Sequence, residues 1–179
     1  MRESVIGIVC ARSGSKRLLG KNMMEIRDMS LSEKAYHTLE GCCDKVVLVT
    51  DIKELLESDL VTLYRPPFIS HDHVPLQSTV KWALFKISGR YGVVVVLMPN
   101  CPMITKNHVE KCINLLVDNN LNVVRSYGKD GKENGVIVIR IEYFFKHWID
   151  THAGAIVTTG IEIHTQEDFD KVKKLMEGK

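Results

Sequence analysis

The residues best suited to chemistry are a group of basic side chains near the amino end of the chain. Four of them fall within ten residues: Arg12, Lys16, Arg17 and Lys21. Two glycines, Gly14 and Gly20, lie in the same stretch. Lysine and arginine neutralise phosphate oxygens, and small residues let backbone N–H groups approach them. The stretch is therefore a candidate cradle for a polyphosphate; the alternative is a solvated surface loop rich in cations.

A short buried strand is expected to position this loop. The apolar run Val5–Cys10 leads directly into it. Loops that follow parallel strands are where open α/β sheets bind ligands. The spacing excludes two common phosphate motifs. Gly14 and Gly20 are separated by five residues and Lys21 is followed by asparagine, which rules out a P-loop, and no G-x-G-x-x-G follows the strand.

The stretch ARSGSKRLLGKN, residues 11–22, closely resembles the A-R-x-G-S-K-R-x-x-G-K-N signature of the acylneuraminate cytidylyltransferases. These enzymes join CTP to an acidic sugar and release pyrophosphate. The resemblance implies a catalytic role for Arg12 and Lys21 at the triphosphate. It also implies a set of nucleotide-binding residues in the loop: Arg12, Ser13, Gly14, Ser15, Lys16, Lys21 and Asn22.

Three further segments carry the same resemblance. Arg65-Pro66-Pro67 matches an R-P turn, which implies that Arg65 holds the base or ribose of the nucleotide. Asn100 and Cys101 fall in a loop that lies between nucleotide and sugar in the family, which implies substrate contacts; Cys101 is otherwise a small packing residue. Between Tyr127 and Asn134 the family carries a dimerisation arm that this chain lacks, so the oligomeric state is left open.

The closing segment GIEIHTQEDF resembles the family's I-D-I-D-T-x-E-D-F, whose paired aspartates hold magnesium. Glu162 and His164 occupy those two positions, which implies a metal site for Mg²⁺ or Mn²⁺. Alternation along a strand would place both side chains on one face. Magnesium prefers oxygen ligands, whereas Mn²⁺ or Zn²⁺ tolerates a glutamate and histidine pair better. A structural role for His164 remains an equal alternative.

Alternating apolar strands and amphipathic helices predict a three-layer α/β/α fold with a mostly parallel, Rossmann-like sheet. Val93–Met98 is the expected central strand. Ser30 with Glu33 predicts a helix start, and Asp51 is interpreted as a helix cap rather than a metal ligand. An amphipathic helix is expected over Tyr143–Ile149, and Thr165 with Asp168 is a capping pair for the last helix.

Size and composition fit one domain covering residues 1–179, with enough apolar residues for a single core. A net charge of +2 gives little reason to expect nucleic acid. Five cysteines without a signal-peptide pattern predict a reduced, cytoplasmic compartment. No apolar run approaches the roughly 20 residues that span a bilayer, so no membrane partner is expected.

These observations lead to one hypothesis and one alternative. We expect a compact cytidylyltransferase-like enzyme that transfers CMP from CTP to a small acidic acceptor, either a sugar acid or a phosphorylated compound. The alternative is a nucleotide-binding module that has lost catalysis and acts as a sensor or partner subunit. CTP and a small molecule are the expected partners in the first case.

Overall fold

The computed structural model describes residues 3–146 and 151–178. Within them, seven strands form one sheet in the order β3-β2-β1-β4-β6-β5-β7. The strands are β1 (Val5–Ala11), β2 (Lys45–Thr50), β3 (Thr62–Tyr64), β4 (Val93–Leu97), β5 (Val123–Tyr127), β6 (Glu133–Arg140) and β7 (Ala153–Val157). Strand β6 is antiparallel to both of its neighbours, and all other pairs are parallel. The sheet is therefore mostly parallel, as predicted.

Helices connect the strands and cover both faces of the sheet. They are α1 (Leu31–Glu40), α2 (Lys53–Leu56), α3 (Pro67–Ser70), α4 (Leu76–Lys86), α5 (Lys106–Asp118), α6 (Ile141–Lys146) and α7 (Gln166–Glu177). Helices α1 and α5 bury side chains against one face, and α4 and α6 against the other. Alternate residues of each strand supply the two cores, which gives the expected α/β/α layers.

Several local predictions are confirmed. Strand β4 lies at the centre of the sheet and is fully buried, as its run of valines requires. Helix α1 starts at Ser30 with a complete capping box. The Ser30 hydroxyl accepts from the backbone N–H of Glu33, and the Glu33 carboxylate accepts from the N–H of Ser30.

Other local predictions need correction. Glu162 and His164 lie in an extended segment without a sheet partner, so the predicted strand there is wrong. Asp51 does not cap α2, whose first turn has no side-chain cap. The helix predicted over Tyr143–Ile149 begins earlier, at Ile141, and is described to Lys146; residues 147–149 lie outside the described residues.

A third, smaller apolar cluster fixes the end of the chain beside the basic loop. Phe169 and Val172 of α7 pack with Ile26, Leu31 and Ile163. Ile163 is fully buried, although its neighbours on both sides are partly exposed. Burial of this one side chain holds the segment 162–164 against the stretch that follows the loop, and so sets the position of the candidate metal residues.

Two findings bear on the compartment and membrane expectations. Among the described residues, Cys10, Cys42, Cys101 and Cys112 are reduced thiols outside any disulfide. In the part of the chain that is described, no helix is both long and apolar enough to cross a bilayer.

Candidate functional site

Two cavities lie at the ends of parallel strands, one after β1 and β4 and the other after β5 and β7. The first, of about 320 Å³, is a cleft lined by residues of the basic loop, of the R-P turn and of the loop after β4. The second, of about 560 Å³, lies beside it between the β5–β6 turn and the segment after β7. Asn100 lines the first and Glu162 the second, and Nδ2 of Asn100 donates to Oε1 of Glu162 over 2.7 Å. The two cavities therefore share a wall.

Most of the nucleotide-binding residues expected from the sequence meet in the first cleft. Five of them line it: Arg12, Ser15, Lys21, Asn22 and Arg65. Ser13, Gly14 and Lys16 lie on the exposed side of the same loop and do not line the cleft. Residues from widely separated parts of the chain thus converge at one edge of the sheet, as the parallel topology dictates.

Asp51 anchors the exposed side of the basic loop. Its carboxylate accepts a 2.7 Å hydrogen bond from the backbone N–H of Ser13 and a 3.3 Å bond from the Ser13 hydroxyl. Asp51 directly follows β2, whose last residue, Thr50, pairs with Ala11 at the end of β1. The carboxylate therefore fixes the first turn of the loop instead of capping α2.

Asp72 holds the cationic side of the loop. Its carboxylate pairs with the Arg12 guanidinium and, at 2.5 Å, with the Lys16 ammonium. The hydrogen bond from Lys16, followed by that from Arg12, holds the pKa of Asp72 below its usual range. Asp72 ends the stretch RPPFISHD, which begins with the R-P turn at Arg65.

Lys21 is placed between the loop and the closing segment. Its Nζ donates to the backbone carbonyl of Ile163 over 3.0 Å. Partial burial lowers the pKa of Lys21, and the charge of Glu162 partly offsets that effect. Asn22 is almost fully buried and donates to the carbonyl of Arg12 over 2.9 Å, which closes the loop on itself.

Arg65 is buried beneath the cleft. Its Nε and Nη2 donate to the carbonyl of Ile69, and Nη2 also donates to the Thr79 hydroxyl over 3.2 Å. Burial lowers the pKa of the guanidinium. Nε and Nη2 of the guanidinium thus hold α3 against α4. The expected contact of Arg65 with the base or ribose stays a prediction.

Asn100 and Cys101 take different positions. Asn100 lines the first cleft, whereas Cys101 is only 3% exposed and belongs to the core. Burial raises the pKa of the Cys101 thiol to about 12, which disfavours a nucleophilic thiolate. The substrate contact expected of Cys101 stays a prediction that this burial disfavours, and Asn100 is the better placed of the two.

Glu162 and His164 lie side by side, as expected, although not on a strand. Oε2 of Glu162 and Nε2 of His164 are 3.1 Å apart. The other nitrogen of the ring, Nδ1, is 3.2 Å from Nη1 of Arg17. Both nitrogens of His164 and both oxygens of Glu162 therefore have partners. Among the described residues no group of three or more His, Cys, Asp or Glu side chains could hold a metal. As placed, the pair does not fit a two-ligand metal site.

The second cavity was not anticipated as a site from sequence. Lys129 and Lys132 of the β5–β6 turn form one wall, and Thr158 and Thr159 form another. Asn134 joins the walls, since its amide donates to the Thr158 hydroxyl and to the carbonyl of Gly160, each over 3.0 Å. The available signal was the turn GKDGKE, which stands where the resembled family has its arm.

Comparison with known proteins bears on this geometry. A family model described as cytidylyltransferase matches residues 6–139. No curated protein is similar enough in sequence to match this chain.

Solved structures with low sequence identity share the whole fold. CMP:2-keto-3-deoxy-manno-octonic acid synthetase complexed with CTP is 15% identical with a TM-score of 0.78, covering 98% of this chain and 99% of that one. The Mycobacterium sp. strain JC1 homologue of Mycobacterium tuberculosis Rv0371c is 16% identical with a TM-score of 0.79 and 99% coverage of both chains. Rv0371c from Mycobacterium tuberculosis, complexed with manganese, is 11% identical with a TM-score of 0.71, covering 98% of this chain and 100% of that one.

Proposed function

This chain belongs to the cytidylyltransferase family, and on that premise we propose that it transfers CMP from CTP to a small acceptor bearing a carboxylate or phosphate. The chain is accordingly a nucleotidyltransferase. The observation that carries the proposal is the cleft in which Arg12, Lys21, Asn22 and Arg65 meet from separate parts of the chain. The basic loop resembles the signature of the acylneuraminate enzymes.

Stabilisation of the departing pyrophosphate is the task that the loop suits best. Nucleotidyl transfer needs an acceptor oxygen in line with the α-phosphorus and positive charge on the leaving group, with little covalent work by side chains. Arg12 is permanently charged, and its neighbour Lys21 points towards the closing segment from the same loop. Removing one such preorganised donor typically costs about 3 to 4 kcal/mol of transition-state stabilisation.

The second cavity is suited to the acceptor. It shares the Asn100–Glu162 contact with the nucleotide cleft, so an acceptor hydroxyl at that wall would face the α-phosphate. Four acidic side chains line this cavity, and each has a partner: Glu133 pairs with Arg125 at 2.8 Å, Asp130 with Lys132 at 3.8 Å, Glu162 accepts from Asn100, and Asp168 accepts bonds at the start of α7. Lys129 and Lys132 also line the cavity, and an anionic acceptor would pair with them.

A divalent cation, Mg²⁺ or Mn²⁺, is part of the proposal, and the manganese complex of a protein with the same fold supports it. When bound to a triphosphate, such a cation neutralises developing charge on the phosphate oxygens. The roles proposed for Arg12, Lys21 and Asn100 do not depend on the position of this cation.

Substitution of Lys21 tests the proposal. Lys21→Ala should weaken CTP binding by roughly 10- to 100-fold, the cost of losing one hydrogen bond to a charged group, measured by isothermal titration calorimetry. It should also slow pyrophosphate release with a panel of sugar acids and phosphorylated acceptors. Lys53→Ala, at an exposed lysine of α2, is the matched control. Unchanged CTP affinity in Lys21→Ala would refute the cradle. CTP binding without pyrophosphate release under any condition would favour the inactive nucleotide-binding module.

A further inference from the structure

The contact between Arg17 and His164 fixes where the imidazole carries its proton. Nη1 of Arg17 lies 3.2 Å from Nδ1 of His164. A guanidinium has N–H donors and no acceptor, so Nδ1 must accept and therefore bears no proton. The proton of the neutral ring is then on Nε2, which lies 3.1 Å from Oε2 of Glu162.

Four side chains then form a hydrogen-bond network in which every donor has an acceptor. Arg17 donates to His164, His164 donates to Glu162, and Asn100 donates to the second oxygen of Glu162 over 2.7 Å. The network links the basic loop, the segment after β7 and the loop after β4. It satisfies both nitrogens of His164 without a cation.

A metal ion on His164 would conflict with this arrangement. A ligating nitrogen offers a lone pair, and metal-binding histidines ordinarily donate their other N–H to a carboxylate or carbonyl. For Nε2 to bind a metal, the proton would have to move to Nδ1, where the Arg17 guanidinium is itself a donor. For Nδ1 to bind a metal, the ion would have to displace that guanidinium.

We propose that Arg17 locks His164 in the tautomer with its proton on Nε2, so that the free protein has no preformed divalent-cation site at Glu162 and His164. Arg17 is thus a positioning residue that acts through His164. One consequence rests on the proposed function: a cation needed for CMP transfer would reach the site bound to the phosphates of the nucleotide. The tautomer and the missing cation site are properties of the free protein.

The tautomer is measured directly by long-range ¹H–¹⁵N correlation NMR on the full chain labelled with ¹⁵N-histidine. The His164 signals are assigned by their loss in His164→Gln. We expect the nitrogen pattern of an Nε2–H ring in the wild type at neutral pH. A pattern with the proton on Nδ1 would overturn the proposal.

Metal affinity is the second measurement. Mn²⁺ is titrated into the nucleotide-free protein and followed by water-proton relaxation. Arg17→Met should bind Mn²⁺ more tightly than wild type, because the His164 ring can then carry its proton on Nδ1 and offer Nε2 to the ion. We expect a gain of about tenfold, the lower end of the 10- to 100-fold by which the partners of a ligating histidine alter metal affinity. Lys16→Met is the matched control, since it removes one charge from the same loop without a contact to His164. Both side chains are exposed, so folding should not be affected.

The outcomes separate the inference from the proposed function. Equal Mn²⁺ affinity in Arg17→Met and Lys16→Met would mean a simple charge effect and would overturn the lock, as would tight Mn²⁺ binding by the wild type. CTP titration of the wild type is run in parallel. A failure to bind CTP would refute the proposed function while leaving the NMR and Mn²⁺ results to decide the tautomer.

Discussion

At the scale of single residues, Asp72 competes for the cations that a triphosphate would use. It pairs with Arg12 and Lys16 at the rim of the cleft, where its side chain is 32% exposed. Exposed ion pairs contribute little to stability, so the fold should tolerate their loss. Asp72→Asn should tighten CTP binding about fivefold at low salt, because a competing charge at about 4 Å in water is worth a factor of that size.

Calorimetric titration of CTP at low and high salt checks this prediction. Asp59→Asn removes the same charge from an exposed position outside the cleft and serves as control. Weaker binding in Asp72→Asn would show instead that the carboxylate holds Arg12 in its productive position.

The sequence predicts which residues gather at the site better than it predicts their partners. Arg12, Lys21 and Arg65 line one cleft because each follows a parallel strand, and the ends of such strands share one edge. The role of Asp51 could not be predicted. The N–H of Ile52 is satisfied by the Thr50 hydroxyl at 3.0 Å, which leaves the Asp51 carboxylate to a donor 38 positions away. Such a choice depends on tertiary distances that local spacing does not contain.

At the scale of elements, the start of α7 holds the closing segment in place. Oδ2 of Asp168 accepts from the backbone N–H groups of His164, at 3.0 Å, and Thr165, at 2.9 Å. The bond from His164 is the leading cause that holds the pKa of Asp168 below its ordinary 3.8. A carboxyl group whose pKa is lower in the folded protein stabilises the fold when the pH is above its pKa in the unfolded chain. That stabilisation is lost as the pH falls through the pKa in the folded protein.

Asp168→Ala should therefore lower the free energy of unfolding at pH 7 by about 1 kcal/mol, the usual cost of losing a helix cap. For a chain of this size that corresponds to a fall in Tm of roughly 2 to 4 °C. The difference in Tm between the variant and the wild type should shrink as the pH falls below 3.8. Thermal unfolding between pH 7 and 2.5 measures this difference. Asp170→Ala, one turn of the same helix away from the cap, is the control. A difference that stays constant with pH would contradict the assigned role.

Elements with strong local signals were predictable, and those defined by tertiary contacts were not. The capping pairs at Ser30 and Thr165 are visible as letters three residues apart. The segment Glu162–His164 alternates like a strand but joins no strand of the sheet; the N–H of Ile163 bonds instead to the carbonyl of Asn100 over 2.8 Å, so the segment stays irregular. Strand β7 was missed because it is short and only partly buried, and its pairing with β5 is what makes it a strand.

At the scale of the whole molecule, composition and order of elements predicted the layers but not the strand order. Buried valine runs such as β4 require cover on both faces, which indicates a three-layer fold. The reversed direction of β6 follows from the short turn after β5, because two strands joined by a few residues pair antiparallel. The same turn lines the second cavity, where the acceptor is proposed to bind.

Buried thiols make the stability of the whole molecule fall at alkaline pH. Cys112 is fully buried in the core between α5 and the sheet, and burial raises the pKa of its thiol from 9.0 to about 12. Below pH 9 the thiol is protonated in both the folded and the unfolded chain, and its burial stabilises the fold in full. Between pH 9 and 12 the thiol ionises only in the unfolded chain, so this stabilisation is progressively lost. Each pH unit in that window is worth about 1.36 kcal/mol per thiol.

Cys112→Ala isolates this contribution, since the other groups that titrate above pH 9 remain in both proteins. The variant is expected to be less stable than wild type at pH 8, where it has only lost packing. By pH 10.5 the wild type should lose roughly 2 kcal/mol that the variant does not, so the two free energies of unfolding should converge. Urea unfolding at pH 8, 9.5 and 10.5 measures the difference. Parallel pH profiles would mean that the Cys112 thiol ionises as readily in the folded core as in the unfolded chain, and that this face of the sheet admits water.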